Sequence, residues 1–139
     1  MKVNLKAKPF YLTEEQIAWV EKTIGEMTLE EKLGQLFLPM VAEPVEDALA
    51  RFERLGLQPG GVLLRSGTAA ETREKIARLQ QQARIPLLIA GDLDRGAYNM
   101  ISDGTQYGHE MLLAASGDPQ MAYRGARIMG AECSAVGAN

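Results

Sequence analysis

The residues that most often announce chemistry are scarce in this sequence. Its 139 residues include one cysteine, Cys133, and one histidine, His109. A single cysteine has no internal disulfide partner. Set among Ala and Met in a helical pattern, Cys133 reads as a buried structural thiol suited to a reducing compartment. His109 has no second histidine and no Asp/Ser partner nearby, so it is assigned no catalytic task, and no metal or cofactor is expected. No apolar run reaches membrane-spanning length. The start, Met1 to Pro9, carries three lysines without an apolar core, so neither a transmembrane helix nor a signal peptide is expected, and the default location is cytoplasmic. No Lys/Arg block stands out and the net charge is −3. Nucleic acid and membrane surfaces are therefore not expected partners.

What is present is the balance of a globular protein, with 46% hydrophobic and 24% charged residues. Three sequences have the pattern of a capping box, in which a Thr hydroxyl and a Glu or Gln three residues on satisfy each other's backbone N–H. Thr13-Glu14-Glu15-Gln16 opens a helix to about Glu26 with Ile17, Val20 and Ile24 on one face. Thr28-Leu29-Glu30-Glu31 opens a short helix through Lys32. Thr68-Ala69-Ala70-Glu71 opens a helix with Ile76, Leu79 and Ala83 as its buried stripe. Between them, Leu36–Val41, Gly61–Arg65 and Ile85–Ala90 are apolar runs of strand length, with Pro39 and Pro86 near strand ends. Val45 to Leu57 returns to helical spacing through Ala48, Leu49, Phe52 and Leu55. Strand openings near Leu36, Val62 and Leu87 recur at intervals of about 25 residues, with a helix in each interval. That rhythm predicts three parallel strands in one sheet, covered on both faces.

After the third strand the rhythm breaks. Gly91 to Gly108 reads as a long polar loop, followed by a helix with Asp118 as N-cap and Pro119 in its first turn. Met121, Gly125, Ile128, Met129 and Val136 form that helix's apolar positions, Gly137 is its C-cap, and Ala138-Asn139 leads toward a fourth strand. A closed eight-stranded βα barrel takes roughly 250 residues. The fold class is therefore α/β, a partial, truncated parallel TIM-type βα barrel of about three strands with flanking helices. The expected organisation is an N-terminal extension over residues 1–12 and an incomplete barrel domain over 13–139. Unpaired strand edges and uncovered apolar faces would favour self-association of such a chain.

In parallel α/β folds, ligands bind at the carboxyl ends of the strands. Asp92 ends the third strand and could accept hydrogen bonds from two adjacent sugar hydroxyls; capping the loop that follows is an equally open reading. Arg65 ends the second strand and faces either the pocket or solvent. Arg95 and Asp103, from the loop, complete the candidate substrate-binding set. Asp92 and Asp94 are not identified as a catalytic pair, because a two-residue spacing says nothing about separation in space.

One ordered set of segments resembles the N-terminal barrel of family 3 glycoside hydrolases, which include β-glucosidases and β-N-acetylglucosaminidases. It runs from Met27-Thr28-Leu29-Glu30-Glu31-Lys32-Leu33-Gly34-Gln35-Leu36-Phe37 through Pro59-Gly60-Gly61-Val62 to Ile85-Pro86-Leu87-Leu88-Ile89-Ala90-Gly91-Asp92. Gly117-Asp118-Pro119, Ala122-Tyr123, Glu132 and Gly137-Ala138-Asn139 continue it. The resemblance implies a carbohydrate substrate, a sugar-holding role for Asp92, and retaining chemistry by a nucleophilic Asp and an acid/base group that both lie beyond residue 139. It assigns no catalytic residue to this chain. Many relatives carry Asp-Glu-Glu-Gly-Gly-Arg-Val after the third strand. Here Asp92-Leu93-Asp94-Arg95-Gly96-Ala97-Tyr98 puts Arg95 in place of one Gly and Ala97 in place of the Arg, which implies a divergent branch and leaves the sugar open. A stand-alone α/β binding or regulatory module remains the alternative.

Overall fold

Four helices begin where a side chain satisfies some of their first free N–H groups. Thr13 Oγ1 accepts from Gln16 N (3.3 Å) while Gln16 Oε1 accepts from Thr13 N (2.8 Å), opening α1, Glu14–Glu26. Thr28 and Glu31 cap each other in the same reciprocal way at α2, Leu29–Gly34. Thr68 and Glu71 do so at α4, Ala69–Gln82, and Asp118 Oδ1 accepts from Gln120 N (2.9 Å) at α6, Pro119–Val136. All three capping boxes expected from the sequence are therefore formed.

A computed structural model describes residues 3–65 and 67–139. The first two residues of the expected 1–12 extension lie outside the described residues. The chain divides into two compact units, Met1–Leu33 and Gly34–Asn139. In the first, α1 buries no residue fully; Ile17 and Val20 are half-buried and Ile24 is exposed.

The second unit is the α/β part. Its strands β1 (Met40–Val41), β2 (Gly61–Leu64) and β3 (Leu88–Gly91) form one parallel sheet in the order β1-β2-β3. α3, Val45–Arg54, lies between β1 and β2 in the chain, and α4 between β2 and β3. After β3 come a 3-10 turn over Ala97–Asn99, the short α5, Glu110–Ala115, and α6. Consecutive strands are neighbours with no reversal of order, as in the early strands of a βα barrel rather than a doubly wound sheet. The expected fold class, a partial parallel barrel of three strands, holds.

Register and burial separate the two faces of the sheet. Val41, Val62, Leu64 and Ile89 are buried with Ala48 and Phe52 of α3, Ile76 and Leu79 of α4, and Cys133 and Val136 of α6 in one core. Side chains alternate along a strand, so Met40, Leu63, Leu88 and Ala90 belong to the opposite face. There Met40 is 52% and Leu88 63% exposed. Full coverage of both faces was expected; within this chain the helices cover one.

Several boundaries differ from the sequence expectation for identifiable reasons. The first strand begins at Met40, not Leu36. Phe37 N donates to Gly34 O (3.0 Å) and Gly60 N to Phe37 O (3.2 Å), which folds residues 34–37 into a turn. Pro39 then joins β2 only as an acceptor, from Leu63 N (3.0 Å). Helix α3 stops at Arg54, and Leu55, as its C-cap, is exposed. In α6, Met121 and Ile128 are exposed, and the buried positions are Gly125, Cys133 and Val136. Gly137, at φ 107°, closes the helix in the left-handed conformation that glycine adopts without penalty.

The segment after β3 is the largest difference. Expected as a polar loop, it buries Ala97, Met100 and Ile101 in the main core. Gly96, at φ 96°, makes the turn that brings this about; a Cβ there would run into the carbonyl oxygen of Thr105. Glu132 of α6 fastens the far side, accepting from Thr105 N (3.1 Å) and from Thr105 Oγ1 (2.5 Å).

Both sheet edges carry polar contacts. Arg51 Nη2 donates to Met40 O (2.9 Å) beside β1. Beside β3, Asn139 N donates to Ile89 O (3.3 Å), and Asn139 Oδ1 accepts from Ile89 N (3.0 Å). Asn139 thus occupies the place of a neighbouring strand, the position at which a fourth was expected to start.

Candidate functional site

The carboxyl ends of the three strands form one rim of the sheet, and charge collects there. Leu64 pairs with Gly91 in the β2–β3 ladder, so the next positions, Arg65 and Asp92, stand opposite each other. Arg65 N still donates to Val41 O (3.3 Å), which keeps its backbone in the β1–β2 ladder. Alternation carries Arg65 and Asp92 onto the face of Leu63 and Ala90, the face the helices leave open. An ion pair and hydrogen bond join Arg65 Nη2 to Asp92 Oδ2. Both side chains are partly exposed, at 42% and 35%. No hydrogen bond engages Asp92 Oδ1 among the described residues, and Arg65 Nε is buried with no partner among them.

A cavity of about 170 Å³ opens beside Arg65, lined by Arg65, Tyr98, Asn99 and Ser102; Asp92 reaches it only through its bond to Arg65. Tyr98 and Asn99 come from the 3-10 turn, which is held in place by the buried Ala97 and Met100. Asn99 Nδ2 donates to Asp94 Oδ1, and His109 Nδ1 lies 3.7 Å from Asp94 Oδ2. His109 is also the N-cap position of α5, with no side-chain capping bond.

At the end of β1 the rim carries a second pair. Arg51 Nη2 lies 2.7 Å from Glu43 Oε1, and Glu43 Oε2 accepts from Ala42 N (3.0 Å). Burial pushes the Glu43 carboxyl up, but hydrogen bonds from the backbone and from Arg51, with the charge of Arg51, outweigh it and leave the group below its ordinary value.

The four residues singled out from the sequence are thus not one cluster. Arg65 and Asp92 meet. Asp103 is exposed, and its Oδ1 accepts from Ala69 N (2.7 Å) at the start of α4. Arg95 is half-buried, its Nε buried without a partner among the described residues, and its backbone oxygen accepts from Tyr107 N (2.8 Å). Sequence reasoning missed Tyr98, Asn99 and Ser102 as cavity-lining residues and Glu43 as a rim carboxylate. The available signal was Ala97, Met100 and Ile101, apolar at positions i, i+3 and i+4 inside an otherwise polar stretch.

A larger cleft of about 570 Å³ lies elsewhere. Its lining includes Phe52 of α3, Leu79 of α4, and Leu57, Pro59, Ile85 and Leu87 from the segments leading into β2 and β3. It therefore sits at the amino ends of the strands. Size favours this cleft, but the converging polar groups and the geometry of parallel sheets favour the smaller cavity at the carboxyl ends. Among the described residues, no group of three or more His, Cys, Asp or Glu is arranged to hold a metal ion, and no helix is long and apolar enough to cross a membrane. Cys133 is buried, and burial, then the charge of Glu132, raises its thiol pKa.

Residues 28–139 match the glycosyl hydrolase family 3 N terminal domain. A β-N-acetylglucosaminidase/β-glucosidase of Cellulomonas fimi is 40% identical over 137 residues, covering 99% of this chain and 24% of the relative. Among solved structures, that of a β-glucoside phosphorylase, BglX, bound to 2FGlc superposes with a TM-score of 0.86. Identity is 37%, over 97% of this chain and 24% of that one. A second structure of β-glucoside phosphorylase BglX gives a TM-score of 0.83 at 36% identity, over 97% of this chain and 23% of that one. The chain spans about a quarter of the length of these relatives.

Proposed function

This chain belongs to the glycosyl hydrolase family 3 N-terminal domain family, and on that premise we propose that it supplies the sugar-binding side of a longer glycosidase that cleaves a terminal β-linked sugar. The observation that carries the reading is the Arg65–Asp92 pair at the carboxyl rim, with Arg65 lining a cavity, in a chain of this family. A carboxylate with one oxygen clamped and the other open suits a pair of adjacent sugar hydroxyls, and Tyr98 adds an aromatic surface of the kind sugars pack against. Arg65 contributes through Asp92; Arg95 and Asp103, which stand apart from the pair, are proposed as outer substrate-binding residues.

Retaining cleavage needs a nucleophilic carboxylate and an acid/base group roughly 5 Å apart on either side of the scissile bond. In this reading both come from the continuation of the polypeptide after residue 139, and residues 1–139 bind and orient without reacting. The relative of Cellulomonas fimi supports β-glucosides and β-N-acetylglucosaminides as candidate substrates. The solved relative named a β-glucoside phosphorylase favours a second reading for the bond-breaking step, with inorganic phosphate in place of water as acceptor.

The test is to assay the full-length polypeptide on nitrophenyl β-glucoside and nitrophenyl β-N-acetylglucosaminide, with and without phosphate, identifying the sugar product. Free sugar in both conditions supports hydrolysis. Sugar 1-phosphate formed only with phosphate supports phosphorolysis. No turnover of either substrate, with the protein folded, contradicts the assignment.

A further inference from the structure

We propose that Arg65 is a positioning residue that acts through Asp92, fixing one carboxylate oxygen so that the other is aimed at the substrate. This rests on the sugar-site reading above and deepens it.

Arg65 is held by its N–H to Val41 O (3.3 Å), and Asp92 follows directly on the paired residue Gly91. The two Cα positions are therefore set by the sheet, and the remaining freedom lies in the side chains. An aspartate at a strand end can rotate its carboxylate and present either oxygen. The Arg65 guanidinium engages Oδ2, while Oδ1 has no hydrogen bond among the described residues. Such a clamp converts a rotating acceptor into an oriented one, and orientation of this kind is worth more to a reaction than to folding. Both side chains are partly exposed. An ion pair so placed contributes little to stability, so a need for folding energy does not account for it. Arg65 also lines one cavity with Tyr98, Asn99 and Ser102, so the guanidinium that holds Asp92 stands at the edge of a space a ligand could enter.

The alternatives are that Arg65 touches the substrate independently of Asp92, or that the pair is an incidental surface contact. A double-mutant cycle in the full-length polypeptide separates them, using Arg65→Met, Asp92→Asn and the two combined. The readout is kcat/KM on the better nitrophenyl glycoside and on its deoxy analogues, with thermal unfolding alongside. Positioning predicts that Arg65→Met lowers kcat/KM by about tenfold. It also predicts that Arg65→Met weakens discrimination against the same deoxy sugar as Asp92→Asn, and that the double variant is no worse than Asp92→Asn alone. Arg65→Lys keeps the charge but not the planar fork and should recover part of the loss. It also carries the cycle if Arg65→Met fails to fold.

Losses that multiply in the double variant would overturn the proposal, as would wild-type kcat/KM in a folded Arg65→Met protein. If Asp92→Asn itself leaves kcat/KM unchanged, the sugar-site reading falls with it. If Asp92→Asn is costly but the cycle is additive, only the positioning role falls.

Discussion

Arg65 and Asp92 face each other one step beyond the last paired residues of β2 and β3, on the sheet face the helices leave uncovered. Their meeting is a consequence of register: once Gly61 pairs with Leu88, the positions four residues on must also be neighbours. The same register leaves Met40 and Leu88 open on that face. A polar rim above an apolar wall is the arrangement expected of the inside of a βα barrel near its carboxyl end.

The chain of residues 1–139 should not turn over nitrophenyl β-glucoside or nitrophenyl β-N-acetylglucosaminide above background. Neither catalytic group is assigned to it. Turnover that copurifies with the chain and persists against a mock preparation would contradict this.

Produced alone, the chain should also self-associate. Met40 and Leu88, exposed on the open sheet face, are apolar groups available for it, and Leu36, Phe37 and Leu38 are exposed as well. Arg51 and Asn139 already bond to the edges of β1 and β3, so contact is expected at the open face rather than edge to edge. Light scattering over a concentration series should show mass rising above the monomer, and Leu88→Lys should restore the monomer. A monomer at high micromolar concentration would contradict the expectation.

Stability should fall on acidification in part through Glu71. Hydrogen bonds from the Thr68 backbone and hydroxyl hold its carboxyl below the ordinary value of 4.5. A carboxyl whose folded pKa is depressed contributes stability above its unfolded pKa, and that contribution is lost as pH falls through the folded value. Urea midpoints measured downward from pH 6 should therefore drop below about pH 4.5. Glu71→Gln should flatten part of that drop, whereas an identical pH profile would remove Glu71 as a contributor.

Met100→Ala should be strongly destabilising, by about 2–5 kcal/mol, because the side chain is fully buried in the main core. It should also loosen the turn that carries Tyr98 and Asn99. Chemical denaturation measures the first effect, and protease sensitivity between Gly91 and Gly108 reports the second. A small change in both would mean the segment is not anchored through Met100.

The parallel sheet was legible because its signals are local. Capping boxes at Thr13, Thr28 and Thr68, apolar runs ending at Val41, Leu64 and Ala90, and the stop at Gly137 each act within a few residues. Asp92 was legible for the same reason, as the first polar residue after a strand. Its pairing with Arg65 was not, because a contact 27 residues apart depends on register that no local pattern records. The segment 91–108 was misread because its polar composition outweighed three apolar positions that insert into the core. Asp103 was singled out by its place in that segment, yet the backbone brings it to the first turn of α4, where its carboxylate meets Ala69 N.

The most direct test of the central claim is kcat/KM of the full-length polypeptide carrying Asp92→Ala, with unfolding measured on the same preparation. Loss of a charge-assisted hydrogen bond to sugar hydroxyls should cost about 1.5–3 kcal/mol, a fall of about tenfold to a hundredfold, with the unfolding midpoint close to wild type. An unchanged kcat/KM in the folded variant would contradict the account and leave Asp92 as a partner of Arg65 with no part in sugar binding.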